Sequence, residues 1–250
     1  MQVWSCGGGT QSAAIAALII QGMLPKPDLA VIVDTNREKQ STWDYFDSIL
    51  KPQLSAAGLE VTVVDRSKYA TVDLYPTTGK YVLLPMYTNQ SGMVGKLSNY
   101  CSAEWKRDVI SRWMREQGIK QATNWIGISI DEMARVRTPR RAWLRLRYPL
   151  IFDVPMRRQD CINLVLSMGW PEPPRSSCWM CPNMRDREWR DMKTHYPDDF
   201  QRAVQLEREL RLRDQNLFLH ESCKPLDEID FTQYQSGLFD NGCASGYCFI

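Results

Sequence analysis

Two groups of residues in this chain have types and spacings that could do chemistry. The first is Ser5-Cys6-Gly7-Gly8-Gly9-Thr10-Gln11-Ser12, three consecutive glycines flanked by hydroxyl side chains. Glycines let backbone N–H groups turn towards an anion without Cβ clashes, and a helix that starts there adds a favourable dipole. Thr10 and Ser12 bring hydroxyls to the same pocket. No G-K-[ST] follows the glycines, so this is not a Walker A loop, and the dinucleotide G-x-G-x-x-G spacing is absent as well. The second group is cysteine. There are eight: Cys6, Cys101, Cys161, Cys178, Cys181, Cys223, Cys243 and Cys248. Cys178 and Cys181 are separated by two residues, which lets adjacent thiolates bind one metal or cluster, and Pro182 follows as it often does at iron–sulfur sites.

The elements around the glycines fit an anion site. Met1–Cys6 is a short apolar strand, and Ala13–Ile20 continues as an Ala/Ile-rich helix, so strand, glycine turn and helix open a βαβ unit. Leu29–Val33 is an apolar second strand that ends at Asp34-Thr35-Asn36, and continuous apolarity suits a parallel sheet covered on both faces. Thr42–Leu54 reads as a helix, Glu60–Asp65 as a third strand, Ala103–Gln117 as a helix and Asn124–Ser129 as a fourth strand. Tyr69–Asn99, rich in Tyr, Thr, Gly and Pro, reads as a long excursion over the active site. Gln159–Met168 and Asp186–Lys193 read as short helices, Pro197–Arg213 as a longer one, and the tail from Glu221 as irregular. The expected fold is α/β, a doubly wound parallel sheet of Rossmann-like type with a cysteine-rich C-terminal segment. Residues 1–155 would form the nucleotide-binding domain and residues 156–250 a helical segment packed on it.

Ligands of open α/β sheets bind outside the carboxyl ends of the strands. Three strand ends therefore converge here: Ser5 to Ser12, Asp34-Thr35, and Gly127 to Ser129. The expected nucleotide-binding residues are Ser5, Gly7, Gly8, Gly9, Thr10, Gln11, Ser12, Asp34, Thr35, Gly127, Ser129, Arg135 and Arg137. Lys106 is placed to reach the same ligand from the helix that follows Cys101. Asp131 and Glu132 either hold Mg²⁺ beside the phosphates or cap a helix. Six arginines lie between Arg135 and Arg147, interleaved with Trp143, and such a run either tracks a nucleic-acid backbone or is a solvated surface. His195 and His220 lack partners at ligand spacing. Cys6 and Cys161 read as small buried hydrophobes.

Composition sets the class. The chain has 250 residues, 44% hydrophobic and 24% charged, with a net charge of +2, an ordinary balance for a folded protein. No stretch approaches the ~20 apolar residues of a membrane span. The start Met1-Gln2-Val3-Trp4-Ser5 lacks a basic n-region. These features lead to the expectation of a cytoplasmic protein without a membrane partner, in which paired cysteines mean metal or redox chemistry rather than disulfides.

The glycine loop resembles the S-G-G-x-D-S signature of the PP-loop enzymes, the ATP pyrophosphatases and sulfonucleotide reductases. With Ser12 on the final serine, Gly7 falls on the first and Gln11 takes the acidic position. Further blocks are similar to the phosphoadenosine-phosphosulfate (PAPS) reductase-like family, in the branch carried by phages. They are Cys101-Ser-Ala-Glu-Trp-Lys106, Trp125 to Arg135, and Pro171-Glu-Pro-Pro-Arg-Ser-Ser-Cys178-Trp-Met-Cys181-Pro182. The tail from Leu219-His220 through Pro225–Asp230 to Cys243 and Cys248 is similar too. The resemblance implies an adenine nucleotide alpha hydrolase-like fold and, for a phage protein, the host cytoplasm. It also implies that the Cys101 block stands beside Cys178 and Cys181, which gives Cys101, Cys178, Cys181 and Cys243 as metal ligands, with Cys248 or an open position as alternatives for the fourth. An iron–sulfur cluster (4Fe-4S) is the leading reading, with zinc as its rival.

These readings lead to an enzyme that binds ATP or a related adenylate (PAPS included). It would activate an acceptor by α-phosphate chemistry for sulfur transfer, with Ser12, Lys106, Arg135 and Cys223 as the candidate catalytic residues. The acceptor could be a nucleic acid, and a sulfur donor or reductant would be a further partner. One alternative is a PAPS reductase releasing sulfite, although the E-C-G-[IL]-H segment of those enzymes is absent and Glu221-Ser222-Cys223-Lys224 only partly resembles it. The other alternative is a non-catalytic nucleotide-binding module, in keeping with Gln11 at the acidic position.

Overall fold

The computed structural model describes residues 1–75, 82–90, 92–139 and 141–232. Its regular elements in chain order are β1 (Gln2–Cys6), α1 (Thr10–Ile20), β2 (Leu29–Asp34), α2 (Gln40–Tyr45), α3 (Lys51–Ala56), β3 (Val61–Asp65), β4 (Tyr87–Thr88), β5 (Gly95–Lys96), α4 (Asp108–Glu116), β6 (Ala122–Ile126), β7 (Leu144–Arg147), α5 (Arg158–Ser167), α6 (Asp186–His195), α7 (Pro197–Arg211) and β8 (Leu217–Phe218). They fall into two compact units. The first is Met1–Ala70 with Trp105–Ser176, and the second is Thr71–Glu104 with the chain from Ser177 on. The boundary expected at 155/156 falls inside the first unit, because α5 packs along α1.

The first unit is a five-stranded parallel sheet of order β3-β2-β1-β6-β7. From β1 the chain steps outward through β2 to β3, then returns to the other side of β1 with β6 and β7. The topological switch point therefore lies between β1 and β6, whose ladder runs from Gln2↔Thr123 to Ser5↔Ile126. Alternate residues feed opposite faces, as the period of a strand requires. Trp4, Ala30, Ile32 and Trp125 face a core built with α1, α3 and α5, while Val3, Val31, Val33 and Val64 face one built with α4. This is the doubly wound α/β architecture read from the sequence. Helix α1 is buried along almost its whole length because its alanines let it lie close between sheet and α5. The helix expected over Thr42–Leu54 runs from Gln40 to Ala56, with one widened turn at Phe46–Leu50. That turn stands just before Pro52, which has no N–H to give to the preceding turn.

The second unit pairs β4 antiparallel with β5 and with β8, so the stretch expected to be a long excursion contributes two short strands. Helices α6 and α7 pack around Trp189, Phe200 and Phe231, whose rings meet edge to face. Glu207 of α7 is buried and its carboxylate accepts the backbone N–H groups of Leu219 (2.7 Å) and Leu226 (2.6 Å), which ties the following chain to the helix. Among the described residues no helix is long and apolar enough to cross a membrane.

Candidate functional site

The glycine loop leaves β1 at Cys6 and enters α1 at Thr10, on the carboxyl edge of the sheet beside the switch point. Its three glycines meet three different surroundings. Gly8 has φ +70°, and a Cβ there would stand 2.8 Å from Cγ2 of Thr42, so both the turn and its neighbour require glycine. A Cβ on Gly9 would stand 2.7 Å from Cβ and 2.8 Å from the backbone nitrogen of Ser176, which brings the strap Pro174–Ser176 directly onto the loop. A Cβ on Gly7, by contrast, would only enter ordinary contact, 3.6 Å from the Ser12 hydroxyl and 3.8 Å from that of Ser176. Gly7 therefore fronts an open cradle flanked by two hydroxyls. Ser12 also accepts the Gly7 N–H at 2.7 Å.

The other side of the cleft is the loop after β6. Gly127 lets α1 approach, since a Cβ there would lie 3.4 Å from Ile15 and 3.5 Å from Gln11. The Gln11 amide nitrogen donates to a Glu132 carboxylate oxygen at 2.9 Å and reaches the buried Ser129 hydroxyl at 3.5 Å. Glu132 in turn pairs with the buried Arg135. A carboxylate therefore stands beside Gln11, supplied by a residue 121 positions away in the chain. Arg158, at the first turn of α5, donates from Nη2 to the Thr10 hydroxyl at 2.9 Å. This places a guanidinium at the N-terminus of α1, where the helix dipole is already positive.

Several expected site residues serve other contacts. Ser5 donates to Asn124 Oδ1 at 2.7 Å, tying β1 to β6. Asp34 accepts the Asn36 N–H at 2.7 Å and shapes the turn after β2. The buried Thr35 donates to Glu38, and Lys106 pairs with the same carboxylate at 2.7 Å, so Lys106 is held at the end of β2. There the guanidinium groups of Arg37 (4.8 Å) and Arg66 (5.0 Å) both lie over the Trp105 ring. Arg137 is exposed, and its backbone is clamped at both N–H and C=O by the Tyr148 hydroxyl. Of the arginine run, Arg141 pairs with Asp108 (2.8 Å) and Arg147 with Asp153 (2.9 Å), while Arg140 lies outside the described residues. That stretch contains the edge strand β7, and these two pairs anchor it to its surroundings.

The cysteines divide as their surroundings dictate. Burial pushes the Cys6 thiol up to about 11 and the Cys161 thiol up to about 12, so both remain protonated and inert. Cys178 and Cys181 are half-buried and close a tight turn, Cys181 N–H to Cys178 C=O at 3.1 Å. The Cys101 thiol is 3.2 Å from Asn99 Oδ1. Among the described residues no group of three or more His, Cys, Asp or Glu side chains is arranged to hold a metal ion, and Cys243 and Cys248 lie outside them. Cys223 takes φ +50°, and burial raises its thiol, the opposite of what a nucleophile needs.

No protein-family model and no curated protein matches the chain. Among solved structures it is similar to the U34-tRNA thiolase NcsA from Methanococcus maripaludis with its [4Fe-4S] cluster. The two share 14% identity at a TM-score of 0.43, over 92% of this chain and 72% of that one.

Proposed function

We propose that the chain is an enzyme that binds an adenine nucleotide with its phosphates on the glycine loop, and that it activates an acceptor by chemistry at the α-phosphate. The observation that carries this reading is the cradle at Gly7. It opens between the hydroxyls of Ser12 and Ser176, at the N-terminus of a buried helix and beside the switch point of the sheet. Backbone donors, two hydroxyls and a helix dipole together favour a phosphate over a neutral ligand. Ser12 is oriented by the Gly7 N–H, and Arg135, held by Glu132, is the cation this reading assigns to the charge that develops on the phosphates. Mg²⁺ would be held by Glu132, whose carboxylate Gln11 and Arg135 orient.

Sulfur is the group this reading transfers to the acceptor. Cys178 and Cys181 have the two-residue spacing of a metal-binding pair, but Cys101 is not arranged with them to hold a metal ion and Cys243 lies outside the described residues, so no step is drawn through a metal centre. An acceptor base in a nucleic acid is the class of substrate such chemistry serves. The test is to incubate the purified protein with ATP, Mg²⁺ and a sulfide source, with and without transfer RNA, and to assay pyrophosphate. Pyrophosphate release that requires the acceptor supports the reading, and release of only ADP and phosphate rejects it.

A further inference from the structure

We infer that the β7 edge of the five-stranded sheet is where the backbone of a nucleic-acid acceptor docks, with Lys120, Arg137 and Arg145 contacting its phosphates. The inference rests on the reading above that the acceptor is a nucleic acid, and it names the surface that would hold it. Charge comes first. The first unit carries 20 Lys and Arg against 14 Asp and Glu, while the rest of the chain carries 11 against 15. A net charge of +2 thus conceals one basic body. The excess is also local, since the stretch from Arg135 to Arg147 has six arginines and no Asp or Glu. Such a concentration of one sign attracts polyanions and costs self-repulsion when none is bound.

Position comes next. Strand β7 is last in the sheet, and no described strand pairs with its outer side. Arg145 lies within it and is exposed. Lys120, also exposed, stands two residues before β6, at the end where Ala122 pairs with Leu144. Exposed Arg137 is fixed at the other end. Its N–H donates to the hydroxyl of Tyr148 at 3.0 Å, that hydroxyl donates back to its carbonyl at 3.1 Å, and Tyr148 directly follows β7. The three cations therefore mark the start, middle and finish of one strand edge, about 13 Å long at the usual rise of a strand. Their neighbours of the same sign are committed elsewhere. Arg141 pairs with Asp108, Arg147 pairs with Asp153 and lies over Trp125, and Arg115 lies over Trp143. The nearby acids are taken up too, Asp108 and Asp153 by those pairs and Glu116 by the Tyr69 hydroxyl. Among the described residues Lys120, Arg137 and Arg145 have no carboxylate partner. Exposed cations spaced along an edge suit a polyanion of regular repeat, whereas a single small anion needs donors that converge.

The experiment follows binding of end-labelled transfer RNA to the whole chain by fluorescence anisotropy across a salt series. The double variant Lys120→Ala with Arg145→Ala and the single variant Arg137→Ala are compared with the native protein. A second double variant, Lys51→Ala with Lys68→Ala, removes the same charge from exposed positions beside β3, at the far edge of the sheet. Thermal melting confirms that each variant is folded. The β7 double variant is expected to bind about tenfold more weakly and to lower the slope of log affinity against log salt by about 2. Arg137→Ala should lower that slope by about 1, and the β3 variant should stay near native. Equal loss in both double variants would make the effect one of net charge and overturn the inference. Native RNA affinity in β7 variants that self-associate on gel filtration would overturn it as well, and would make these cations a guard against strand pairing. Tighter binding of polyglutamate than of RNA would assign the surface to an acidic protein and overturn it in a third way. A native protein that binds no RNA at low salt also overturns it. Calorimetry with ATP on that same sample then shows separately whether the nucleotide reading stands.

Discussion

The side-chain amide of Gln11 donates to a carboxylate oxygen of Glu132 at 2.9 Å, which joins the first turn of α1 to the loop after β6 across the switch point of the sheet. An amide there can hold the carboxylate, whereas a carboxylate would repel it. Gln11→Glu puts two carboxyl groups within hydrogen-bonding distance, and one of them then has a raised pKa. A carboxyl whose folded pKa is raised contributes stability at low pH and loses it as pH rises. The melting temperature of Gln11→Glu should therefore fall below that of the native protein at pH 8 and approach it at pH 5. Thermal melts at the two pH values check this, and a gap of equal size at both would contradict it.

A second pair titrates with the opposite sign. Burial alone would raise the Asp108 carboxyl, but hydrogen bonds from Arg107 and Arg141 outweigh it and hold the group below the usual carboxylate range. A carboxyl with a depressed folded pKa stabilises the fold above its unfolded value, near 3.9, and loses that contribution as pH falls. Asp108→Asn should cost about 1 kcal/mol at pH 7, a figure already reduced for the solvent exposure of both arginines. It should also flatten the loss of stability between pH 5 and pH 3. Urea unfolding across that range measures both.

The parallel sheet and the glycine loop were legible because they are written in local sequence. Apolar runs at 1–6 and 29–33 followed by Gly7-Gly8-Gly9 or Asp34-Thr35 state strand and turn without reference to the rest of the chain. Strand β7 was hidden, since Leu144-Arg145-Leu146-Arg147 sits in an arginine-rich run whose charges dominate the reading. The partners of the loop were hidden for a different reason. Arg158 lies 148 residues from Thr10, and only the packing of α5 on α1 brings them together. Ser176 stood within a block read for its cysteines. The one cue for it was the third glycine, which a phosphate loop does not itself need and which the strap explains.

Glu207 shows how a buried charge can hold a segment in place. Desolvation raises its carboxyl, while the N–H groups of Leu219 and Leu226 act against that. Both oxygens are used as acceptors. Gln has one acceptor and would turn an NH₂ group towards one of these donors, leaving a buried N–H unpaired. Glu207→Gln should therefore destabilise the fold by about 2 kcal/mol although its shape is conserved. Chemical denaturation gives the value, and faster proteolysis after Leu219 gives a local readout. A neutral result would mean that the two N–H groups find other acceptors.

The glycines of the loop offer the sharpest separation of folding from binding. At Gly9 an added Cβ would meet the backbone of Ser176 at 2.8 Å, and a backbone nitrogen cannot swing aside as the end of a flexible side chain can. Gly9→Ala must displace the strap, so it should lower stability by about 1–3 kcal/mol and weaken nucleotide binding together with it. At Gly7 the added Cβ enters space with neighbours at 3.6 and 3.8 Å, which is normal van der Waals contact. Gly7→Ala should therefore keep the native melting temperature within a degree or two. The methyl group would nevertheless fill the cradle between the hydroxyls of Ser12 and Ser176, where the phosphate oxygen is expected. A loss of ATP affinity of at least tenfold, about 1.4 kcal/mol, should follow in a fully folded protein. Calorimetry and melting on the same two samples decide the matter. Native affinity in Gly7→Ala would move the phosphates away from Gly7 and leave the three glycines with a purely structural role.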